Sequence, residues 1–340
     1  MKTRLLSICL IAALLFSMTS CLSWGKTDKE EEPTEAAIVN IYTLNGTTGF
    51  GMAKLMNDAK AGNTAKDYHF TVQSDASVVT SALLNRTADI AALPTNAAAN
   101  LYNKSNGEIV VLAVNTLGCL YLLTNQNATV ASFENLRGKT VYVPAQNPTF
   151  IFTYLCKQNG LEVGKDVLID STTYAQPAAL KDAVAAGLVD IAVLPEPMVT
   201  IAMNTAKNAN NGTVITNAMD LTAEWNKVSP EGSLVQGCVV VRREFLEKNP
   251  ETVKAFMNEY KASIEYLSKD IDSASQMIVE NGIFTNAGVA KKALPNCNVC
   301  FLDGAAMKSA METYLGILFG IAPASIGGKL PVDNFYYTTN

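Results

Sequence analysis

The apolar and polar positions of this chain follow one pattern twice, about one hundred residues apart. Residues 88–94 (ADIAALP) recur as residues 189–195 (VDIAVLP), 101 positions later. Strand-like segments at residues 39–42 and 140–143 each start 50 positions before the Asp of their own copy. A helix, a short strand and a second helix are predicted between the two segments of each copy. The pattern predicts two β-α-β-α-β units of the same layout.

Each predicted unit places its strands in one sheet. The short middle strands are predicted at residues 70–73 and 167–170, and right-handed crossovers put the connecting helices on both faces of a parallel sheet. The loops at the carboxyl ends of such strands meet at one edge, where ligands bind. Two units that face each other predict an α/β fold with a cleft between two lobes.

The pattern changes after the second unit. Residues 221–228 predict a short helix that carries Trp225, and residues 234–241 predict a strand that returns towards the first lobe. The rest of the chain is predicted to be largely helical. One apolar stripe at helical spacing is expected to be core, and it consists of Met307, Met311, Tyr314, Leu315 and Leu318.

The N-terminus has the pattern of a secretory signal. Lys2 and Arg4 precede an apolar run over residues 5–16, and small residues follow it. That run is shorter than the roughly 20 residues that span a bilayer. Residues 1–20 therefore predict a signal peptide that is removed from the mature protein.

The residues around Cys21 indicate a membrane anchor. Residues 18–21 (MTSC) resemble the bacterial lipobox, in which the cysteine is acylated and becomes the first residue of the mature chain. Residues 21–37 then comprise the lipidated cysteine and a polar, flexible tether. We expect an extracytoplasmic protein that its lipid anchors to the bacterial cell membrane. The alternative is an ordinary signal peptide in which Cys21 is incidental.

Composition narrows the class of protein. Hydrophobic residues make up 49% of the 340 positions and charged residues 17%, which is too apolar for a disordered chain. The formal net charge is −5, the wrong sign for binding a phosphate backbone. The sequence therefore argues against nucleic acid as a partner and favours a folded body with large cores.

The loop after the first predicted strand is a candidate ligand site. Residues 44–49 (LNGTTG) open a helix, so free backbone N–H groups and the positive helix end are available to a polar or anionic group. The hydroxyls of Thr47 and Thr48 add further donors. The glycine spacing differs from the dinucleotide fingerprint G-x-G-x-x-G. The alternative interpretation is a helix start without a ligand.

The second unit is expected to supply the opposite wall of the cleft, because residues 145–149 (AQNPT) also open a helix. Asp75 precedes another helix start, where the alternative to ligand binding is a helix cap. Glu196 is expected to pair with an amine of the ligand or to remain at the rim, and the paired loops lack arginine. The candidate ligand-binding residues are Asn45, Gly46, Thr47, Thr48, Asp75, Ser77, Thr95, Asn96, Gln146, Asn147, Thr149, Tyr174 and Glu196.

Catalytic chemistry has little support in the sequence. His69 is the only histidine, and a structural or surface role is expected for it. Nucleophile-elbow, P-loop and HExxH motifs are absent from the sequence. Cys297 and Cys300 form a lone CxxC without the second ligand pair of a zinc site, and they predict a local disulfide or two thiols. We expect no cofactor, no metal and no enzymatic activity.

Several segments together carry a resemblance to a known family. They are residues 135–141 (NLRGKTV), 245–251 (FLEKNPE) and 325–331 (SIGGKLP), with the two Asp-Ile-Ala-x-Leu-Pro segments and the lipobox Cys21. In this order they resemble solute-binding lipoproteins of bacterial ABC importers. The branch they resemble most is the nitrate, sulfonate, taurine and thiamine-precursor group, called SsuA/THI5-like or NMT1-like.

This resemblance implies a type II periplasmic-binding-protein fold, with two lobes that are each a mixed, mainly parallel sheet flanked by helices. Lobe 1 would comprise residues 38–120 with residues 238–340, and lobe 2 residues 125–235. Segments near residues 117–125 and 234–241 would cross between the lobes. Ligand binding in the cleft would favour a closed state.

The resemblance also implies a function. The chain would capture a small polar or anionic organic solute, sulfonate-like or thiamine-precursor-like, and deliver it to the permease of an ABC importer. Its partners would be the solute, the permease and the ATPase, and the protein would be a monomer. The alternatives are an enzyme similar to thiamine-pyrimidine synthase and a solute sensor that does not transport.

Overall fold

The computed structural model describes residues 38–209 and 212–338. The predicted signal peptide, Cys21 and the tether lie outside the described residues. The strands are β1 (Val39–Leu44), β2 (Tyr68–Gln73), β3 (Ile90–Pro94), β4 (Ile109–Leu117), β5 (Leu120–Thr124), β6 (Thr140–Tyr142), β7 (Leu168–Asp170), β8 (Ile191–Pro195), β9 (Thr216–Asp220), β10 (Val235–Arg242) and β11 (Val299–Asp303). The α-helices are α1 (Thr47–Phe50), α2 (Ala53–Lys60), α3 (Ala76–Leu84), α4 (Thr95–Lys104), α5 (Asn147–Gln158), α6 (Pro177–Ala185), α7 (Met198–Ala209), α8 (Leu221–Val228), α9 (Arg243–Lys248), α10 (Pro250–Lys269), α11 (Ile271–Glu280), α12 (Ala287–Ala293) and α13 (Gly304–Ile321).

Two mixed sheets form the framework. The first has the strand order β11-β4-β10-β3-β1-β2, and the second has the order β7-β6-β8-β5-β9. Strand β1 is parallel to β2 and β3, and β6 is parallel to β7 and β8. Strands β5, β10 and β11 run against their neighbours. The prediction of two mixed sheets flanked by helices is confirmed, with four parallel and five antiparallel pairs of neighbouring strands among the described residues.

The internal repeat extends to the whole strand order. The run β2-β1-β3-β10-β4 of the first sheet matches β7-β6-β8-β5-β9 of the second, position by position. At the ends of the repeated motif, Pro94 of β3 lies opposite Gly237 of β10, and Pro195 of β8 lies opposite Leu120 of β5. Strand β5 follows a strand of the first sheet, and β10 enters after the chain has built the second. Each sheet therefore receives its antiparallel fourth strand from a chain segment that has come from the other.

The chain passes between the sheets at two short segments. Gly118 and Cys119 separate β4 from β5, and residues 229–234 separate α8 from β10. Most of residues 117–125 and 234–241 therefore belong to strands. The lobe boundaries expected from the resemblance stay a prediction.

The repeated aspartates join the start of their own strand to neighbouring strands. Asp89 accepts hydrogen bonds from the backbone N–H of Asn40 at 2.9 Å and from Nη2 of Arg242 at 2.6 Å. Asp190 accepts one from Nδ2 of Asn125 at 2.7 Å. Both aspartates precede their strand, at the edge away from its carboxyl end. The recurrence of Asp-Ile-Ala therefore has a structural cause.

Helices cover both faces of the first sheet. Apolar residues of α3, α4 and α13 form one core with it, and those of α2, α10, α11 and α12 form another. The predicted stripe on α13 is confirmed as core, since Met307, Met311 and Tyr314 are fully buried. No helix within the described residues has both the length and the apolar character needed to cross a membrane.

Candidate functional site

A cavity of about 600 Å³ lies where the N-terminal turns of α3, α4 and α5 approach one another. Helices α3 and α4 connect strands of the first sheet, whereas α5 connects β6 and β7 of the second. The cavity therefore lies between the two sheets' helices. Four of the predicted ligand-binding residues line it, and these are Asp75, Ser77, Asn96 and Gln146.

Asp75 caps helix α3. Its Oδ1 accepts a hydrogen bond from the backbone N–H of Ser77 at 2.8 Å. Hydrogen bonds from the backbone and then the side chain of Ser77 hold the pKa of the Asp75 carboxyl below its usual range. The carboxylate is therefore ionised at neutral pH and is engaged by its own helix.

Helices α4 and α5 begin at the cavity without a capping side chain. An open helix start combines free N–H groups with the helix dipole, which together equal roughly half a positive charge. Asn96 lies in the first turn of α4, and Gln146 directly precedes α5. Two open helix starts at one cavity favour a polar or anionic group of a ligand.

Asn96 contributes a buried amide to this cavity. The residue is only 9% exposed, and its Oδ1 has no hydrogen-bond partner within the described part of the chain. A buried polar group without a partner costs about 1–3 kcal/mol. Asn96 therefore lines the cavity with a side chain whose amide oxygen the described part of the fold leaves unpaired.

Gln146 has a backbone conformation that glycine adopts more readily. Its φ is 66° and its ψ is −125°. A side chain in this region costs on the order of 1–3 kcal/mol, and such strain is concentrated at functional sites. Gln146 therefore combines backbone strain with a place on the cavity wall.

Thr47 and Glu196 meet outside this cavity. Oγ1 of Thr47 donates a hydrogen bond to the backbone carbonyl of Glu196 at 3.4 Å, which joins α1 to the end of β8. The Glu196 side chain instead accepts hydrogen bonds from the hydroxyl and backbone N–H of Thr200, at 2.9 and 3.1 Å. Glu196 is 3% exposed, and burial raises the pKa of its carboxyl. The carboxylate is thus not at the rim, and Thr200 engages both of its oxygens.

The first predicted loop is shorter than expected, because helix α1 already begins at Thr47. The carbonyl of Thr48 accepts a hydrogen bond from Nδ2 of Asn115 at 3.2 Å. Gly46 has a φ of 85°, and Asn45 is exposed. The cavity lining includes none of the four predicted residues of this loop.

Two predicted residues of α5 have partners within the protein. Oδ1 of Asn147 accepts a hydrogen bond from the hydroxyl of Tyr314 at 2.7 Å. The hydroxyl of Thr149 donates one to the carbonyl of Pro144 at 2.8 Å. Both contacts fix the first turn of α5 beside the cavity.

Thr95 and Tyr174 lie away from the cavity lining. Thr95 is fully buried at the start of α4. The ring of Tyr174 packs against that of Tyr142, with 5.8 Å between the centroids. Their part in solute binding stays a prediction.

The cavity also has lining residues that sequence reasoning missed, among them Thr80, Asn100 and Lys104. Asn96, Asn100 and Lys104 are four residues apart on α4, a spacing that puts them on one helix face. Nδ2 of Asn100 donates a hydrogen bond to the carbonyl of Ala324 at 3.1 Å. The polar spacing along residues 96–104 is visible in the sequence and was the available signal.

The residues considered for metal or thiol chemistry are His69 and the two cysteines of the CxxC segment. Within the described ranges, no three His, Cys, Asp or Glu side chains group as a metal site. His69 is exposed on β2. Cys297 and Cys300 are free thiols, and burial raises the pKa of both, that of Cys300 to about 12.

Comparison with known proteins gives a family and a fold. Residues 55–277 match the family model described as ABC transporter, phosphonate, periplasmic substrate-binding protein. No curated protein matches the chain.

Solved structures share the fold over most of the chain. An ABC transporter protein from Parabacteroides distasonis has a TM-score of 0.73 at 22% identity, covering 89% of this chain and 99% of its own. The periplasmic aliphatic sulphonate binding protein SsuA from Escherichia coli has a TM-score of 0.67 at 12% identity, covering 89% and 92%. The alkanesulfonate-binding protein SsuA from Xanthomonas axonopodis pv. citri, bound to MOPS, has a TM-score of 0.58 at 15% identity, covering 88% and 96%. The predicted type II periplasmic-binding-protein fold is confirmed.

Proposed function

The chain belongs to the phosphonate family of periplasmic substrate-binding proteins of ABC transporters, and we propose that it captures a small polar or anionic organic solute in the cavity between α3, α4 and α5. The observation that carries the proposal is the cavity lining, in which predicted ligand residues from both sheets' helices come together. Two open helix starts and the unpaired amide of Asn96 supply hydrogen-bond capacity that the fold does not use.

The placement of the cavity supports capture by closure. A solute there would contact Asn96 on α4 and Gln146 before α5 at the same time. Contacts to both sides are complete only when the two sides are close, so the solute shifts the population towards the closed state. The permease would then receive the solute from that state.

The solute class follows from the charges at the cavity. Among the described lining residues, Asp75 and Lys104 are the charged ones, and no arginine is present. A doubly charged phosphonate usually recruits a guanidinium fork. We therefore favour a neutral or singly charged head, as in the sulfonate-like or thiamine-precursor-like solutes of the SsuA/THI5-like branch.

The proposal includes a location and partners for the protein. The family is periplasmic by its description, and we propose that an acylated Cys21 anchors the protein to the outer face of the cell membrane. Its partners would be the permease and ATPase of an importer, and it would act as a monomer. The same body without those partners would serve as a sensor.

We propose no catalytic role. His69, the single histidine of the sequence, does not line the cavity. The raised pKa values of the Cys297 and Cys300 thiols keep them protonated at neutral pH, whereas the thiolate is the reactive form. These properties favour binding over the synthase-like alternative.

The test is thermal and urea unfolding of the purified full-length chain with a panel of sulfonates, phosphonates, pyrimidines, amino acids and inorganic oxyanions. A solute at about 100 times its Kd raises the free energy of unfolding by about 2.7 kcal/mol. A well-folded protein that no member of the panel stabilises, after removal of any co-purified ligand, would contradict the proposal.

A matched pair of variants tests the cavity itself. Asn96→Ala removes an amide whose Oδ1 makes no hydrogen bond in the fold, so we expect the free energy of unfolding to be unchanged or higher and solute binding to be about tenfold weaker. Asn258→Ala is the control, because Asn258 is an exposed helical asparagine outside the cavity. Equal affinity in both variants would show that the solute binds outside this cavity.

A further inference from the structure

The cavity extends well beyond the helix starts where the head of a solute would bind. Asn96, Asn100 and Lys104 line it on α4, and Thr80 and Leu84 line it on α3. The eight residue steps from Asn96 to Lys104 rise about 12 Å along the helix. The cavity is therefore a groove between α3 and α4 that follows α4 from its first turn to its last.

The chemistry of this groove changes along its length. The head end has the amide of Asn96 and the open starts of α4 and α5. Leu84 lines the far end and is 54% exposed, although it is a large apolar side chain. Lys104 lines the same end, and within the described residues no carboxylate forms an ion pair with it.

The volume of the cavity also favours a solute that is longer than a small oxyanion. A cavity of about 600 Å³ compares with about 30 Å³ per water molecule in the liquid. An oxyanion no larger than a few water molecules would fill only the head end. The apolar surface and the lysine beyond it would then have no partner.

Resting on the proposed function, we propose that the solute is elongated and held at both ends. Its polar or anionic head binds at Asn96 and Gln146, its apolar chain reaches Leu84 at the far end, and a second anionic group there pairs with Lys104. The Asp75 carboxylate lies on the same cavity wall and is ionised, so we expect the head to bind on the side of Asn96 and Gln146. Lys104 therefore selects two-ended solutes over one-ended solutes of equal length.

The test uses octanedioate and octanoate, which differ only in the second carboxylate, with the purified full-length chain and calorimetry at low salt. We expect octanedioate to bind about fivefold more tightly, the upper end for an ion pair in contact with water. Lys104→Gln should abolish this difference and leave octanoate binding unchanged. Lys207→Gln is the control, since Lys207 is also an exposed lysine in the last turn of a helix.

The outcomes separate this proposal from the proposed function. Equal binding of the two probes, a difference that survives Lys104→Gln, or binding of neither probe would overturn the two-ended solute. If Asn96→Ala weakens the binding of any solute in the panel, the proposed function stands even then. If the folded protein binds neither probe and nothing in the panel, both proposals are wrong.

Discussion

The hydroxyl of Tyr314 donates a hydrogen bond to Oδ1 of Asn147 at 2.7 Å. Tyr314 is on α13, which packs with the first sheet, and Asn147 begins α5, which connects strands of the second. The Tyr314 ring is fully buried and lies 5.9 Å from that of Trp225 on α8. Helix α13 therefore contacts elements of both sheets, and it fixes the start of α5 beside Gln146.

Removing this hydrogen bond should affect both stability and binding. Burial raises the pKa of Tyr314, so its hydroxyl stays protonated and remains a hydrogen-bond donor at all moderate pH values. Tyr314→Phe leaves Oδ1 of Asn147 without this partner, and we expect urea unfolding to show a loss of about 1 kcal/mol. We also expect weaker solute binding, because Gln146 is next to Asn147.

Two comparisons make this prediction specific. Tyr154→Phe removes a hydroxyl that pairs with Ser229 at 2.8 Å, away from the cavity lining, and should lower stability without lowering affinity. In a double-mutant cycle, the losses in free energy of unfolding caused by Tyr314→Phe and Asn147→Ala should not add, because the two changes remove the same hydrogen bond. Simple additivity of the two changes would show that the hydrogen bond is not formed in solution.

Gln146→Gly should separate stability from binding. Glycine relieves the strain at a φ of 66°, while it also makes the unfolded chain more flexible. We expect the free energy of unfolding to be unchanged or higher by up to about 1 kcal/mol. Affinity should fall about tenfold, the loss of one hydrogen bond to the solute.

The control for this change is Asn106→Gly, at a φ of 56° outside the cavity. Urea unfolding of both variants and calorimetry with a solute identified in the panel give the comparison. If the Gln146→Gly variant binds the solute with full affinity, the Gln146 side chain is not part of the binding site.

The sequence predicted the elements well because each follows from a local pattern. The repeat placed β1, β3, β6 and β8 correctly, and the helix starts at Asp75 and Asn147 follow from capping and proline preferences. The order of β5 and β10 depends on pairing between distant segments. Nothing local to residues 120–124 shows that they complete the second sheet.

The candidate site was predicted only in part for a related reason. All the chosen loops lie near the carboxyl ends of strands, but β1 to β2 and β2 to β3 cross the sheet in opposite directions. Right-handed crossovers then put α2 on one face and α3 and α4 on the other. Thr47 therefore meets Glu196, while Asp75 and Asn96 share the cavity with Gln146.

Glu196→Gln should flatten the pH dependence of stability. Burial raises the pKa of Glu196, so the folded state keeps the proton at pH values where the unfolded chain has released it. The contribution of the group is fully present below the unfolded value near 4.5 and is lost as pH rises through the folded pKa. Glutamine is uncharged and can still accept from the N–H and donate to the hydroxyl of Thr200.

The measurement is the urea midpoint between pH 4 and pH 8 for both proteins. Cys119, Cys297 and Tyr121 are the titratable neighbours of Glu196, and burial raises the pKa of each, so they stay neutral over this range. The variant should lose less stability with rising pH than the wild type. Parallel curves would mean that Glu196 is ionised in the folded protein at little cost.

Gly49→Ala should disrupt the packing of α1 on β1. A Cβ at this position would lie 2.0 Å from the carbonyl oxygen of Leu44 and 2.9 Å from Cγ2 of Ile283. The backbone oxygen cannot move without displacing the strand, so we expect a loss of about 3 kcal/mol in urea unfolding. Because α1 carries Thr47, the contact to Glu196 should also be lost.

Gly316→Ala on α13 provides the opposite expectation for the same chemical change. Gly316 is exposed within the helix, and a Cβ there meets no atom within 4 Å. Alanine should raise the free energy of unfolding by about 1 kcal/mol, because glycine is the weaker helix former. A Gly49→Ala protein as stable as the Gly316→Ala protein would show that α1 does not pack on the end of β1 in solution.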